Sequence, residues 1–109
     1  MSNIYRNAKV DFTNTDNTTV YTSPSNSRAI IKSILVSDDS GSGDSINVTL
    51  TDASAAVFSL FKTKAIASNA TTELITQPNV LQESEILKAQ ATTAGRLHMV
   101  VSLLEINRD

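Results

Sequence analysis

Residues 96–106, RLHMVVSLLEI, constrain the fold more than any other stretch of this chain. Side chains on a β-strand alternate between its two faces. Read that way, Leu97, Met99, Val101 and Leu103 line one side and Val100, Leu104 and Ile106 line the other. A strand with one apolar side is half-buried, and a strand with two is covered on both. A small domain covers one side with a second sheet of its own, and the other side then calls for a neighbouring subunit. The segment predicts a sandwich that packs against further chains.

The rest of the chain fits an all-β reading. Residues 5–12 form a short strand or an arm, with Val10 and Phe12 on one face, and 14–17 (NTDN) read as a turn. TTVYT at 18–22 is a strand that Ser23-Pro24 ends, because proline removes a ladder donor. In AIIKSILVS, residues 29–37, the alternation breaks. Ile31 and Leu35 fall on one face, Ile30, Ile34 and Val36 on the other, so the strand is buried on both faces or bulged near Lys32-Ser33. DDSGSGD at 38–44 is a loop, and 45–51 alternates cleanly with Ile46, Val48 and Leu50 inward. VFSLFK at 57–62 is apolar on both faces, with Phe58 and Phe61 expected in the core, and TTELIT at 71–76 is a further strand. Residues 80–91 read either as a helix or as a turn followed by a strand at 86–91, and the poor helical face favours the strand. Residues 92–95 then read as a tight hairpin into the last strand. Seven or eight strands with turns at short intervals predict a single antiparallel β-sandwich, of jelly-roll or immunoglobulin-like kind. Residues 1–17 form an N-terminal arm or edge strand, and residues 18–109 form the sandwich domain.

At 109 residues the chain is one domain, able to bury roughly 65% of its unfolded surface without staples. It has no cysteine, which fits synthesis in a reducing cytoplasm and leaves no thiolate chemistry. A net charge of −2 gives no basic field for nucleic acid. No apolar run approaches the ~18 residues of a membrane span, and MSNIYRNAKV has no apolar core for a secretory signal. Ser, Thr and Asn make up roughly a third of the residues, a composition suited to half-exposed strands.

No catalytic constellation stands out. The only histidine, His98, lies within the last strand, where packing or an interface is its ordinary role, and neither a G-x-S-x-G elbow nor a P-loop is present. The loop at 38–44 carries three carboxylates of the right type for Ca²⁺ but lacks EF-hand spacing and a closing Glu, so a solvated loop is expected and no metal or cofactor is assigned. Three N-x-[ST] sequons, at Asn17, Asn47 and Asn69, are accidents of an Asn/Thr-rich chain. Only Tyr5 and Tyr21 offer themselves for stacking on sugars.

Taken in order, three blocks carry a resemblance: VYTSPSNSRAIIKSILVSDDSGSGDSINVTL, FSLFKTKAIASNATTELI, and NVLQESEILKAQATTAGRLHMVVSLLEI. Together residues 18–106 resemble a family of small virion proteins of tailed bacteriophages of marine and cyanobacterial type. One departure is the turn before the penultimate strand, which carries Ser84-Glu85 where Gly-Asp is expected. The resemblance implies a non-enzymatic β-sandwich in the particle, made in the host cytoplasm and located in the virion. It implies first a capsid decoration (cement) protein bound to the major capsid protein, and otherwise a neck, tail or fibre subunit. A host-surface glycan-binding module is the reading from a different class.

The two-faced strands predict a homo-oligomer, a trimer or a ring. Ile4, Tyr5, Val10 and Phe12 could dock in a partner's groove by strand addition. With Val100, Leu104 and Ile106 they make up the candidate interface.

Overall fold

A computed structural model describes residues 2–107. Nine strands follow one another: β1 (Ser2–Asp11), β2 (Thr18–Thr22), β3 (Ser27–Asp38), β4 (Asp44–Thr51), β5 (Val57–Ile66), β6 (Thr71–Glu73), β7 (Asn79–Leu81), β8 (Ile86–Ala91) and β9 (Leu97–Asn107). They build two antiparallel sheets. The first runs β1-β9-β3, with β6 and β7 both paired along the far side of β3, and the second runs β2-β8-β4-β5. If β6 and β7 count as one interrupted strand, the pairings nest: β1 with β9, β2 with β8, β3 with β6 and β7, β4 with β5. That is a single long hairpin rolled into a sandwich, the jelly roll, and it decides between the two sandwich types left open by the sequence. Among consecutive strands, only β4 and β5 pair directly across their turn. The others change sheet, apart from β6 and β7. The turn at 92–95 is therefore a crossing between sheets and not a hairpin, a distinction that turn residues alone do not encode.

Between the sheets lie Ala29, Ile31, Ile34, Val36, Ile46, Val48, Leu87, Ala89, Ala91, Leu97, Met99, Val101 and Leu103, each at most 1% exposed. The β3 side chains reach this core because the register against β9 shifts between Ile31 and Ser33. The bulge restores the phase that the sequence loses at Lys32-Ser33, so Ala29, Ile31, Ile34 and Val36 all point inward. Glu73 from β6 serves the bulge: its carboxylate accepts from the Ile34 N–H at 2.7 Å and from the Ser33 hydroxyl.

Two local expectations are corrected. Residues 71–76 leave the sheet after Glu73, and Leu74 and Ile75 turn in to cap the core, each 7% exposed. Phe58 lies on the edge strand β5 and is 53% exposed, whereas Phe61 packs against the core. An edge strand has a partner on one side only, so two-sided apolarity there does not imply two-sided cover.

Candidate assembly surface

Directly paired residues on neighbouring strands share a face, so the registers lay out the outer surface of the first sheet as rows. From the lower end, where β1 begins, these are Asn3–Ile106–Arg28, then Tyr5–Leu104–Ile30–Val80, then Asn7–Ser102–Ser33, then Lys9–Val100–Leu35–Glu73, then Asp11–His98–Ser37–Thr71. The Tyr5 row is apolar throughout, and the Lys9 row is apolar at its centre, between Lys9 and Glu73. Tyr5 is 76% exposed, Val80 49%, Leu35 38% and Val100 37%, while Leu104, Ile30 and Ile106 are partly exposed. The outer face of the second sheet differs in kind. It presents Thr19, Asn47, Thr51, Lys88 and Gln90, with Ile86 the aliphatic exception at its lower end and Val57 and Phe58, 63% and 53% exposed, along the β5 edge. One face of the molecule is wetted by hydroxyls and amides, and the other carries apolar bands.

Four of the seven residues assigned to an interface from the sequence meet on this surface: Tyr5, Val100, Leu104 and Ile106. The other three do not. Ile4 and Val10 share the inward side of β1 with Arg6 and Ala8, and Phe12 is 2% exposed within the chain's own core. Because Ser2–Asp11 pairs with β9 along its whole length, it serves a neighbour as a detached arm only by leaving its own sheet, while as the edge strand it keeps its second side open to strand pairing.

At the lower end an ionised group sits where the alternation of β9 demands an apolar one. Glu105 is in phase with Leu97 to Leu103 and is 4% exposed. The Tyr21 hydroxyl donates to one carboxylate oxygen at 2.5 Å, and Arg6 Nε lies 3.2 Å from the other. Tyr21 belongs to the second sheet, so this contact ties the sheets together. Burial, and then the adjacent Glu105 carboxylate, raise the Tyr21 phenol above its ordinary range, so it stays a neutral donor. The sequence reading missed this cluster, although a charged residue in phase with a buried row was the available signal.

At the upper end Asp38 closes β3 and is 3% exposed. Its carboxylate accepts from the Ser40 N–H at 2.8 Å, the Ser40 hydroxyl at 2.6 Å and the Gly43 N–H. The Ser40 hydroxyl chiefly, and these backbone donors, hold its pKa below the usual value. Gly43 has φ +71 and lies so close to the Ile66 carbonyl that a Cβ would stand 3.2 Å from it, so glycine suits this position. The carboxylate that would lead a cation cage thus organises its own loop. Among the described residues no group of three or more His, Cys, Asp and Glu is placed to hold a metal. His98, on the outer face, lies between Asp11 (Nε2 to Oδ1, 3.1 Å) and Asp39 (Nδ1 to Oδ2, 3.5 Å), all three solvent-accessible. On the side of the sandwich where β5 faces β6 and β7, a shallow groove of about 320 Å³ is lined by Leu60, Phe61, Leu74 and Ile75 among others.

No protein-family model matches this chain, and no curated protein matches it in sequence. Solved structures do match in shape. One, of Bacillus endospore appendages that form a family of disulfide-linked pili, covers 99% of this chain and 90% of its own, with a TM-score of 0.58 and 10% identity. Another, of the infectious bursal disease virus Gt strain, covers 98% of this chain and 31% of its own, with a TM-score of 0.44 and 9% identity. The first shows a shared fold. The second is too distant in shape to add to that.

Proposed function

We propose that this chain is a structural subunit of a bacteriophage particle, in the first place a capsid decoration protein that binds the assembled head. The observation that carries the reading is the apolar outer face of the first sheet, set against a hydroxyl-lined second sheet. Exposed apolar side chains gathered on one face, here in two bands either side of the Asn7–Ser102–Ser33 row, mark an interaction site more often than a free monomer surface. A protein that binds the assembled shell and not its free subunits stabilises the shell by mass action. The family resemblance of residues 18–106 supplies the particle; the sandwich supplies a rigid block with one sticky side. Self-association through this face belongs to the proposal, and contact with the major capsid protein is then made by the rest of the surface.

A subunit of an extracellular appendage is the second reading, favoured by the fold shared with the endospore pili. This chain has no cysteine, so subunits here would be held by non-covalent surfaces and not by disulfides. Quantitative mass spectrometry of purified virions tests the first reading. A copy number matching the shell lattice supports decoration. A copy number of one small ring points to the neck or tail, and absence from virions overturns the particle assignment. Retention on a host-glycan array in place of virion incorporation would instead identify a glycan-binding module.

A further inference from the structure

We infer that the outer face of the first sheet is the contact between two copies of this chain, packed face to face with their strands antiparallel about a two-fold axis that crosses the sheet near Ser102. The inference deepens the reading of an assembly subunit and rests on it. A face that binds its own copy must be self-complementary, residue i meeting j while j meets i. The central pairs of the rows described above have that property; at the margin formed by β6 and β7, Val80 of one copy falls on Glu73 of the other, whose carboxylate is held by the Ile34 N–H. Rotation about an in-plane axis along the Asn7–Ser102–Ser33 row lays β9 on β9 and β3 on β3 with the ends exchanged. Leu104 of one copy then falls on Val100 of the other, and Ile30 on Leu35. Tyr5 falls on the Lys9 stem, where an aromatic ring and an aliphatic chain ending in a cation are compatible.

Charge selects the direction. On the face itself the upper end carries Asp11 and Asp39 with His98 between them, and the lower row carries Arg28, the acidic Asp52 and Glu85 of the lower end lying off this face. Parallel packing would set one acidic end on the other, and like charges across an interface oppose association. Antiparallel packing instead sets Arg28 over the end of β3 that leads into Asp39. Aligned sheets cross at about 30°, which displaces the outer rows more than the Leu104–Val100 and Ile30–Leu35 pairs, a displacement that the long Arg28 side chain can span. The size also suffices. Four strand positions over ten residues span about 600 Å² per copy, so two copies bury about 1,200 Å², at the lower bound for a specific interface. A trimer or ring would need two different patches that meet each other; this face matches itself.

Sedimentation equilibrium on the full chain tests the contact, with thermal melts to confirm folding. The wild-type chain is expected at twice its monomer mass. Leu104→Lys and, independently, Val100→Lys should weaken the pairing by more than about tenfold, with melting retained because both side chains point outward. Thr51→Lys, on the opposite sheet, should leave pairing unchanged. Arg28→Asp should weaken pairing and Asp39→Arg added to it should restore pairing. A monomeric wild type, a trimer mass, or pairing that survives Leu104→Lys and Val100→Lys would overturn the face. Failure of the charge exchange to restore pairing would overturn the antiparallel arrangement. A chain that is monomeric in solution yet abundant in virions sinks this contact and leaves the particle reading standing. A dimer absent from virions does the reverse.

Discussion

Val101 is 0% exposed at the middle of β9, between Met99 and Leu103 on the core face. Val101→Asp buries a carboxylate with no partner, at several kcal/mol, comparable to the whole stability of a domain this size. Circular dichroism should find no cooperative melt. Asp39, whose side chain is 67% exposed, offers the contrast. Asp39→Ala should change the stability of the dilute chain by no more than about 0.5 kcal/mol in denaturant titration. Its neighbour Asp38 behaves differently because its carboxylate organises the loop from Ser40 to Gly43. Its folded pKa lies below its ordinary value of 3.8, so its contribution is present above that pH and is lost as the pH falls through the folded value. Asp38→Asn should flatten the stability profile below about pH 4. Tyr21 supplies the opposite sign. Its raised pKa means that the unfolded chain ionises first, so stability falls as the pH climbs beyond the ordinary value of 10.0. Tyr21→Phe should remove that alkaline slope. At neutral pH it should cost about 1–3 kcal/mol by stripping a donor from buried Glu105. Both profiles are read from melts across pH.

Strands that alternate between two environments announced themselves in the sequence. β4 and β9 read directly, and the missing beat at Lys32-Ser33 offered the β3 bulge as one of two readings, because a period of two leaves a visible fault when one residue is inserted. Residues 86–91 are a strand for the same reason: Leu87, Ala89 and Ala91 point inward at period two. What stayed hidden depends on partners far along the chain. Nothing local in TTELIT tells that pairing stops at Glu73 while Leu74 and Ile75 fold inward, nor that β5 has a neighbour on one side only. Of the candidate interface, outward positions on β9 were legible from alternation. Phe12 was not: it keeps the inward phase of Val10, but nothing local tells whether that face meets the chain's own core or a partner's groove. The fault in β5 was equally invisible: Thr63 adopts φ 54, a left-handed conformation that a β-branched residue rarely takes, and its N–H is held by Asn47 Oδ1 at 2.6 Å. Thr63→Gly should relieve that strain and stabilise the fold by about 1 kcal/mol, measurable as a raised midpoint in urea.

On the scale of the whole molecule, the roll closes where β1 meets β9. Arg6 reaches Glu105, and Ala8 and Val10 pack against the core, so β1 belongs to the sandwich. Deletion of residues 2–11 uncovers one edge of β9 and leaves Glu105 without its cation. The shortened chain should lose dispersed amide resonances in its proton–nitrogen NMR spectrum, whereas a detachable arm would leave them unchanged. The same closure has a consequence for how the protein is made. Residues 2–11 leave the ribosome before their partner, residues 97–107, by an interval on the order of ten seconds at ordinary synthesis rates. During that time β1 is an orphan strand, and its Asn3, Arg6, Asn7, Lys9 and Asp11 keep it from seeking another edge. The second sheet can begin from the local β4–β5 hairpin, but the first sheet waits for β9. Any chain cut short before β9 lacks the central strand of the apolar face as well as the partner of β1. Folding of the first sheet therefore waits on residues 97–107: only copies that contain them carry the surface by which copies would be gathered.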